Sequence, residues 1–233
     1  MHLNARFGAV AQRGLSIVEL MVGVAIGLIV VAAASLLMTG QLAENRRLLA
    51  ETQLQQDLRA ATDIITRELR RAGANIESQS LRTMWFPGKS AAVVENPFAE
   101  PLTPAASSTD SETRFTYNPG DSGDALFGFK LEGGAIKTKM LAGGWQELTD
   151  PRILNVTSFV ITRDPDTSIQ VPCAKPCPDT TAACWPKVIV RNFKVLISAS
   201  ARSMPGVDRY TESRVRVRNE RLQFSSPGLV CPT

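Results

Sequence analysis

Gly14-Leu15-Ser16-Ile17-Val18-Glu19 is the stretch on which the fold turns. A short leader carrying Arg6 and Arg13 ends at Gly14, and the apolar run from Leu15 to Met38 has Glu19 as its single charge. As a helix rising about 1.5 Å per residue the run spans roughly 36 Å, enough to cross a bilayer. A cleaved secretory signal has a shorter apolar region with its small-residue cut site after it; here Gly14 stands before the run. Beyond the run, Glu44, Arg46, Arg47 and Glu51 cancel, so the positive-inside rule puts the N-terminus in the cytoplasm and the rest of the chain outside. A carboxylate inside a membrane costs about 2.5–3.5 kcal/mol on insertion scales and by default marks function.

Outward from this segment the helical pattern continues. Leu54, Leu58, Ala61, Ile65, Leu69 and Ala72 recur at spacings of three and four and make one apolar stripe. Asp57, Arg59, Asp63, Arg67 and Arg70 lie mostly off it, and Asp63 and Arg67 are spaced to pair. Gly73 is a fitting C-cap. The reading is one helix from about Leu15 to Ala72, apolar all round in its first half and amphipathic in its second, which therefore needs a folded domain to pack on. From Asn75 short β-rich runs alternate with turn signals. Candidate strands are Leu81–Phe86, Thr113–Tyr117, Ala125–Leu131, Ile136–Leu141, Ile153–Arg163, Val188–Ala199 and Ser213–Phe224, with Asn96–Ser111 read as a surface loop. The expected fold class is α+β, a long N-terminal helix packed on an antiparallel sheet. The expected divisions are a leader over 1–14, a membrane half-helix over 15–38, an amphipathic half-helix over 39–74 and a β-rich head over 75–233.

Arg13 to Val30, RGLSIVELMVGVAIGLIV, resembles the class III signal of type IV prepilins. Two further stretches, Asp57-Leu58 through Arg70-Arg71-Ala72-Gly73 and Val215-Arg216-Val217-Arg218-Asn219, resemble the helix end and C-terminal strand of PilW-type minor pilins. The resemblance implies a pilin-like fold, cleavage by prepilin peptidase between Gly14 and Leu15, and methylation of the new amine. It also implies that Glu19 pairs with the N-terminal amine of a neighbouring subunit, which agrees with the need of a buried carboxylate for a partner charge. The implied function is that of a minor pilin that helps to initiate type IV pilus assembly in a tip complex. The implied partners are other minor pilins, the major pilin, the inner-membrane assembly machinery and a tip adhesin. The implied location is the inner membrane, with the head in the periplasm, and then the pilus. Two features depart from the common pattern: Leu15 stands where phenylalanine is usual, and no proline occurs between Leu15 and Phe86. The alternatives are a J-type minor pseudopilin of a type II secretion system and a membrane-anchored binding domain that never polymerises.

Composition narrows the chemistry. The chain is 44% hydrophobic and 21% charged with net charge +4, ordinary for a folded protein. Its only histidine, His2, precedes Gly14, so the processed chain has none, and Ser-His-Asp, Cys-His and His-ligated metal sites drop out. No enzyme activity, cofactor or metal is expected. Cys173, Cys177, Cys184 and Cys231 all follow the membrane segment and face an oxidising compartment, where disulfides persist. A zinc site would need a second close pair of cysteines, and redox work a C-x-x-C pair; both are absent. Four cysteines allow three pairings, with Cys231 expected to join one of the loop cysteines. Arg214, Arg216 and Arg218 alternate with Val215 and Val217, so on a strand the arginines share one face. A solvated face is the first reading and an acidic partner the second; nucleic-acid binding is not expected, because interleaved aromatics are missing.

Overall fold

The computed structural model describes residues 14, 16–75, 96–118, 120, 126–141 and 143–223. The expected strand Leu81–Phe86, Trp85, Leu15 and Cys231 lie outside the described residues. The chain divides into two compact units, Met1–Leu48 and Leu49–Thr233.

A single helix, α1 (Ile17–Arg71), runs through the first unit and into the second. In the first unit its side chains are exposed all round, Ile17 at 80% and Leu36 at 74%. In the second unit the apolar stripe is buried: Leu54, Leu58, Ala61, Ile65 and Leu69 are all 4% exposed or less. The expected Asp63–Arg67 pair does not form; Arg67 turns instead to Glu68, at 3.4 Å.

Among the described residues the head carries eleven strands in three antiparallel sheets. They are β1 (Ser108–Asp110), β2 (Glu112–Thr116), β3 (Leu126–Glu132), β4 (Ala135–Lys139), β5 (Trp145–Glu147), β6 (Leu154–Arg163), β7 (Thr167–Gln170), β8 (Lys187–Val190), β9 (Asn192–Ala201), β10 (Asp208–Arg216) and β11 (Arg221–Gln223). The first sheet has the order β1-β6-β9-β10, the second β2-β3-β4-β5 and the third β11-β8-β7. Alternation sets which face of β9 is buried: Phe193, Val195, Ile197 and Ala199 point to the core, and the residues between them are half-buried. In β6 the register shifts between Val156 and Ser158, a bulge that brings Phe159 and Ile161 onto the same inner face as Leu154 and Val156. These residues join Leu54, Leu58, Ile65 and Leu69 of the helix in one core. The second sheet adds an aromatic group, with Tyr117 and Phe127 stacked at 3.9 Å and Phe115 within 6.4 Å of Tyr117, Phe127 and Phe129.

Two of the expected strands each prove to be two, in different sheets. Val188–Ala199 breaks at Arg191, with β8 in the third sheet and β9 in the first. Ser213–Phe224 breaks after Arg216, with β10 in the first sheet and β11 in the third. Asn96–Ser111 is more than a surface loop: it holds a 3-10 turn (Pro97–Ala99) and β1, and it buries Ala99 and Leu102.

Candidate assembly site

The segment that carries Glu19 is helical from its start. The Leu20 N–H donates to the Ser16 carbonyl at 3.1 Å, and Glu19 sits in the first turn, where unpaired peptide N–H groups favour an acid. Gly14 precedes it and is exposed. The turns that follow present Val18, Leu20, Met21, Val22 and Val24 outward, each more than half exposed. Space is open around Gly23 and Gly27, the pair spaced for close helix packing. Two hydroxyls in this half are closed onto their own helix: Ser35 donates to the Val31 carbonyl at 2.8 Å and Thr39 to Leu36 at 2.9 Å. Such closure is what an apolar surrounding demands, since no water is there to satisfy a hydroxyl. By length and composition α1 can cross a membrane, and none of its most apolar window is buried among the described residues.

The opposite end of α1 is fixed by residues far away in sequence. Gly73 adopts φ +75°, a left-handed conformation that costs a side-chain-bearing residue about 1–2 kcal/mol. Its N–H does not turn back onto the helix, as a local cap would, but donates to Thr116 of β2 at 2.8 Å. The last helix carbonyls are capped partly by the chain itself, with the Ala72 N–H donating to Leu69 at 3.2 Å and the Ala74 N–H to Arg71 at 2.9 Å, and partly from the chain beyond β10. The Arg218 N–H donates to Arg70 at 3.2 Å, and the Asn219 side-chain amide reaches Arg71 and Ala72 at 3.4 and 3.3 Å. The two stretches that carry the PilW-type resemblance therefore meet at this junction. Arg191, only 1% exposed, donates from one guanidinium nitrogen to Asn219 at 2.6 Å and from another to Ala99 at 2.9 Å. Burial pulls its pKa below the ordinary arginine value, with Arg163 adding to the effect. Arg163 holds Asp166 through two nitrogens, at 3.0 and 2.7 Å, and reaches the Leu102 carbonyl at 3.2 Å.

Beside the junction, buried Glu68 accepts from Arg71 at 3.2 Å and from the Tyr117 hydroxyl at 3.3 Å, while the Arg71 guanidinium lies 4.4 Å from the centre of the Tyr117 ring. Burial first and the Glu68 carboxylate second push the Tyr117 phenol up to about 12. Its hydroxyl thus stays a donor across the physiological range.

In the cysteine loop, Cys177 and Cys184 form a disulfide, and Cys173 is disulfide-bonded as well. The Trp185 indole N–H donates to the Lys175 carbonyl at 3.1 Å, so this tryptophan is a loop anchor. Among the described residues no cluster of His, Cys, Asp and Glu could hold a metal ion.

Sequence reasoning did not find Arg191, Arg163 or the capping role of Asn219. For Arg191 a signal existed, a lone charge inside the apolar run Val188-Ile189-Val190-Arg191-Asn192-Phe193. The cap made by Asn219 had none, because it depends on two segments meeting in space.

Comparison with known proteins bears on both ends of the helix. A family model described as the prokaryotic N-terminal methylation motif matches residues 10–35, which include Gly14 through Glu19. No curated protein and no solved structure matches the chain. A second family model spans residues 47–217, from the amphipathic half-helix through the sheets to the end of the Arg-Val-Arg-Val strand. On that match over most of its length, the chain belongs to the family of prepilin peptidase-dependent protein B, and it is a type IV pilin-like protein.

Proposed function

We propose that the chain is a minor pilin of the PilW type. Prepilin peptidase cuts between Gly14 and Leu15 and methylates the Leu15 amine. The mature chain then takes part in initiating a type IV pilus, in a tip complex with other minor pilins. The observation that carries this reading is the methylation motif over 10–35 heading a half-helix whose apolar side chains are exposed on every side. A helix apolar all round requires an apolar surrounding. Lipid supplies it before assembly, and the helices of neighbouring subunits supply it afterwards. Fully burying one Val, Leu or Ile side chain contributes about 1.5–3 kcal/mol relative to water. Transfer from lipid into a helix bundle gains far less, because lipid tails are as apolar as leucine. Packing alone therefore gives weak register, and a directional contact is needed. Glu19 provides it by pairing with the N-terminal amine of a neighbour. The head carries the contacts that choose partners, and nothing in this function calls for catalysis.

The test uses two variants in cells. A bulky residue in place of Gly14 leaves the chain uncut in the inner membrane and absent from sheared filaments. Glu19→Ala is cut normally but no longer co-purifies with partner pilins. Normal incorporation of the Gly14 variant would refute the processing step. Normal co-purification of Glu19→Ala would remove the role of Glu19, and recovery of the wild type with secretion subunits alone would replace the pilus by a secretion pseudopilus.

A further inference from the structure

We propose that an extended, acidic segment of a neighbouring subunit adds to the free edge of β10, with carboxylates at alternate positions facing Arg214, Arg216 and Arg218. The proposal rests on the reading of the chain as an assembly subunit and gives the chemistry of one partner. β10 is an outer strand of its sheet, paired on one side to β9 from Asp208 opposite Ser200 to Arg216 opposite Asn192. At its two ends Val207 accepts from Ala201, and Val217 donates to Arg191. In an antiparallel ladder this phase bonds the odd-numbered residues to β9 and turns the N–H and C=O groups of Tyr210, Glu212, Arg214 and Arg216 to the outer edge. Among the described residues nothing bonds to them there. Such a row of unpaired groups is a template for one more strand.

The side chains give a second, independent indication. Val215 and Val217 are 3% and 0% exposed on the inner face, so Arg214 and Arg216 stand together on the outer face and are exposed. Alternate residues of a strand are about 6.8 Å apart, the same spacing an added strand offers from its own alternate side chains. Arg218 lies beyond the end of β10 with its N–H held by the Arg70 carbonyl, so it contributes its side-chain charge rather than strand edge; with Arg70, Arg216, Val217 and Glu220 it lines an open groove of about 410 Å³. Arg216 is paired with Glu220 and Glu212 with Lys194, whereas Arg70, Arg214 and Arg218 have no ion-pair partner among the described residues. The edge is therefore left with an excess of positive charge on one face, which an extended segment with carboxylates at every second residue neutralises. A DNA duplex fits less well: Glu212 and Glu220 interrupt the run, and between Asp208 and Glu220 Tyr210 is the one aromatic residue.

The experiment measures binding of fluorescent nine-residue peptides to the processed full-length chain in detergent micelles, at low and at physiological salt. One peptide alternates glutamate with threonine. A second has the same composition with its glutamates in one block. A third is the alternating peptide with backbone N-methylation at alternate residues. The expected result is at least tenfold tighter binding of the first peptide than of the other two. Arg214→Glu and Arg218→Glu each weaken it tenfold or more, and Arg152→Glu, exposed in the segment between β5 and β6, leaves it unchanged. Equal binding of all three peptides would mean unspecific charge attraction and overturn the proposal. So would an equal loss with Arg152→Glu, tighter binding of a DNA duplex, or no binding to the alternating peptide. Because no filament is involved, these outcomes are separate from those that test processing and incorporation.

Discussion

Ile65→Ala separates the two roles of the helix. Ile65 is 0% exposed and belongs to the core that joins α1 to the inner face of the first sheet. Truncation to alanine removes three carbon atoms from a close-packed interior. Such changes cost about 2–5 kcal/mol, the upper values arising where the site cannot collapse. With Leu58, Leu69, Phe193 and Val195 all buried in the same core, a cost of about 3–4 kcal/mol is expected for the head. For a unit of this size each kcal/mol moves Tm by about 2–4 °C, so the melting temperature falls by roughly 6–16 °C. Leu28, 66% exposed in the first unit, is the control: Leu28→Ala leaves the melting of the head unchanged. The assay is thermal melting of the detergent-solubilised chain followed by near-ultraviolet circular dichroism, which reads the packing of aromatic side chains in the head. Equal shifts for Ile65→Ala and Leu28→Ala, or a shift below about 2 °C for Ile65→Ala, would refute the division of the helix into a packed half and an uncovered half.

Three further outcomes follow from the head. A Cβ at Gly128 would lie 2.6 Å from the Thr113 carbonyl of the neighbouring strand, so Gly128→Ala forces β2 and β3 apart and destabilises the head by about 1–3 kcal/mol, measured by urea unfolding. Tyr117 has its phenol raised from 10.0 to about 12 in the folded state, by burial and then by Glu68. Its protonated form is thus the one that folding favours, and its contribution to stability is full below about pH 10 and lost as pH rises through about 12. An ultraviolet titration shows one of the two tyrosines ionising only near pH 12 in the wild type, and Glu68→Gln lowers that midpoint. Digestion without reduction, read by mass spectrometry, yields a Cys177–Cys184 cross-link and a second, separate cross-link that contains Cys173.

The helix and most strands were legible because they rest on local periodicity. Leu54, Leu58, Ile65 and Leu69 fall on one face of a helix whatever they pack on, and Phe193, Val195 and Ile197 alternate whichever sheet they join. Sheet membership was not legible. The run from Val188 to Ala199 alternates almost throughout, and its break at Arg191 exists because the guanidinium holds the carbonyls of Ala99 and Asn219, which are distant in sequence. The end of the helix was read correctly to within a residue or two, but only the local part of its capping was legible. Gly73 does take the left-handed conformation of a C-cap, and the Ala74 N–H turns back to the Arg71 carbonyl; the Gly73 N–H, however, goes to Thr116, and Arg218 and Asn219 add capping from a distant segment. For the proposed assembly segment, Gly14 and Glu19 are marked in the sequence by their spacing to an apolar run, and the methylation motif matches residues 10–35 around them. The partner proposed for Glu19 belongs to another chain, and this sequence does not contain it.

The most direct measurement is the N-terminal peptide of this protein recovered from mildly sheared pili, identified by mass spectrometry. The account predicts that it begins at Leu15, carries an N-methyl group, and appears with the peptides of other minor pilins. A peptide beginning at Met1, a cut anywhere other than after Gly14, or the absence of the protein from the pilus fraction would contradict it.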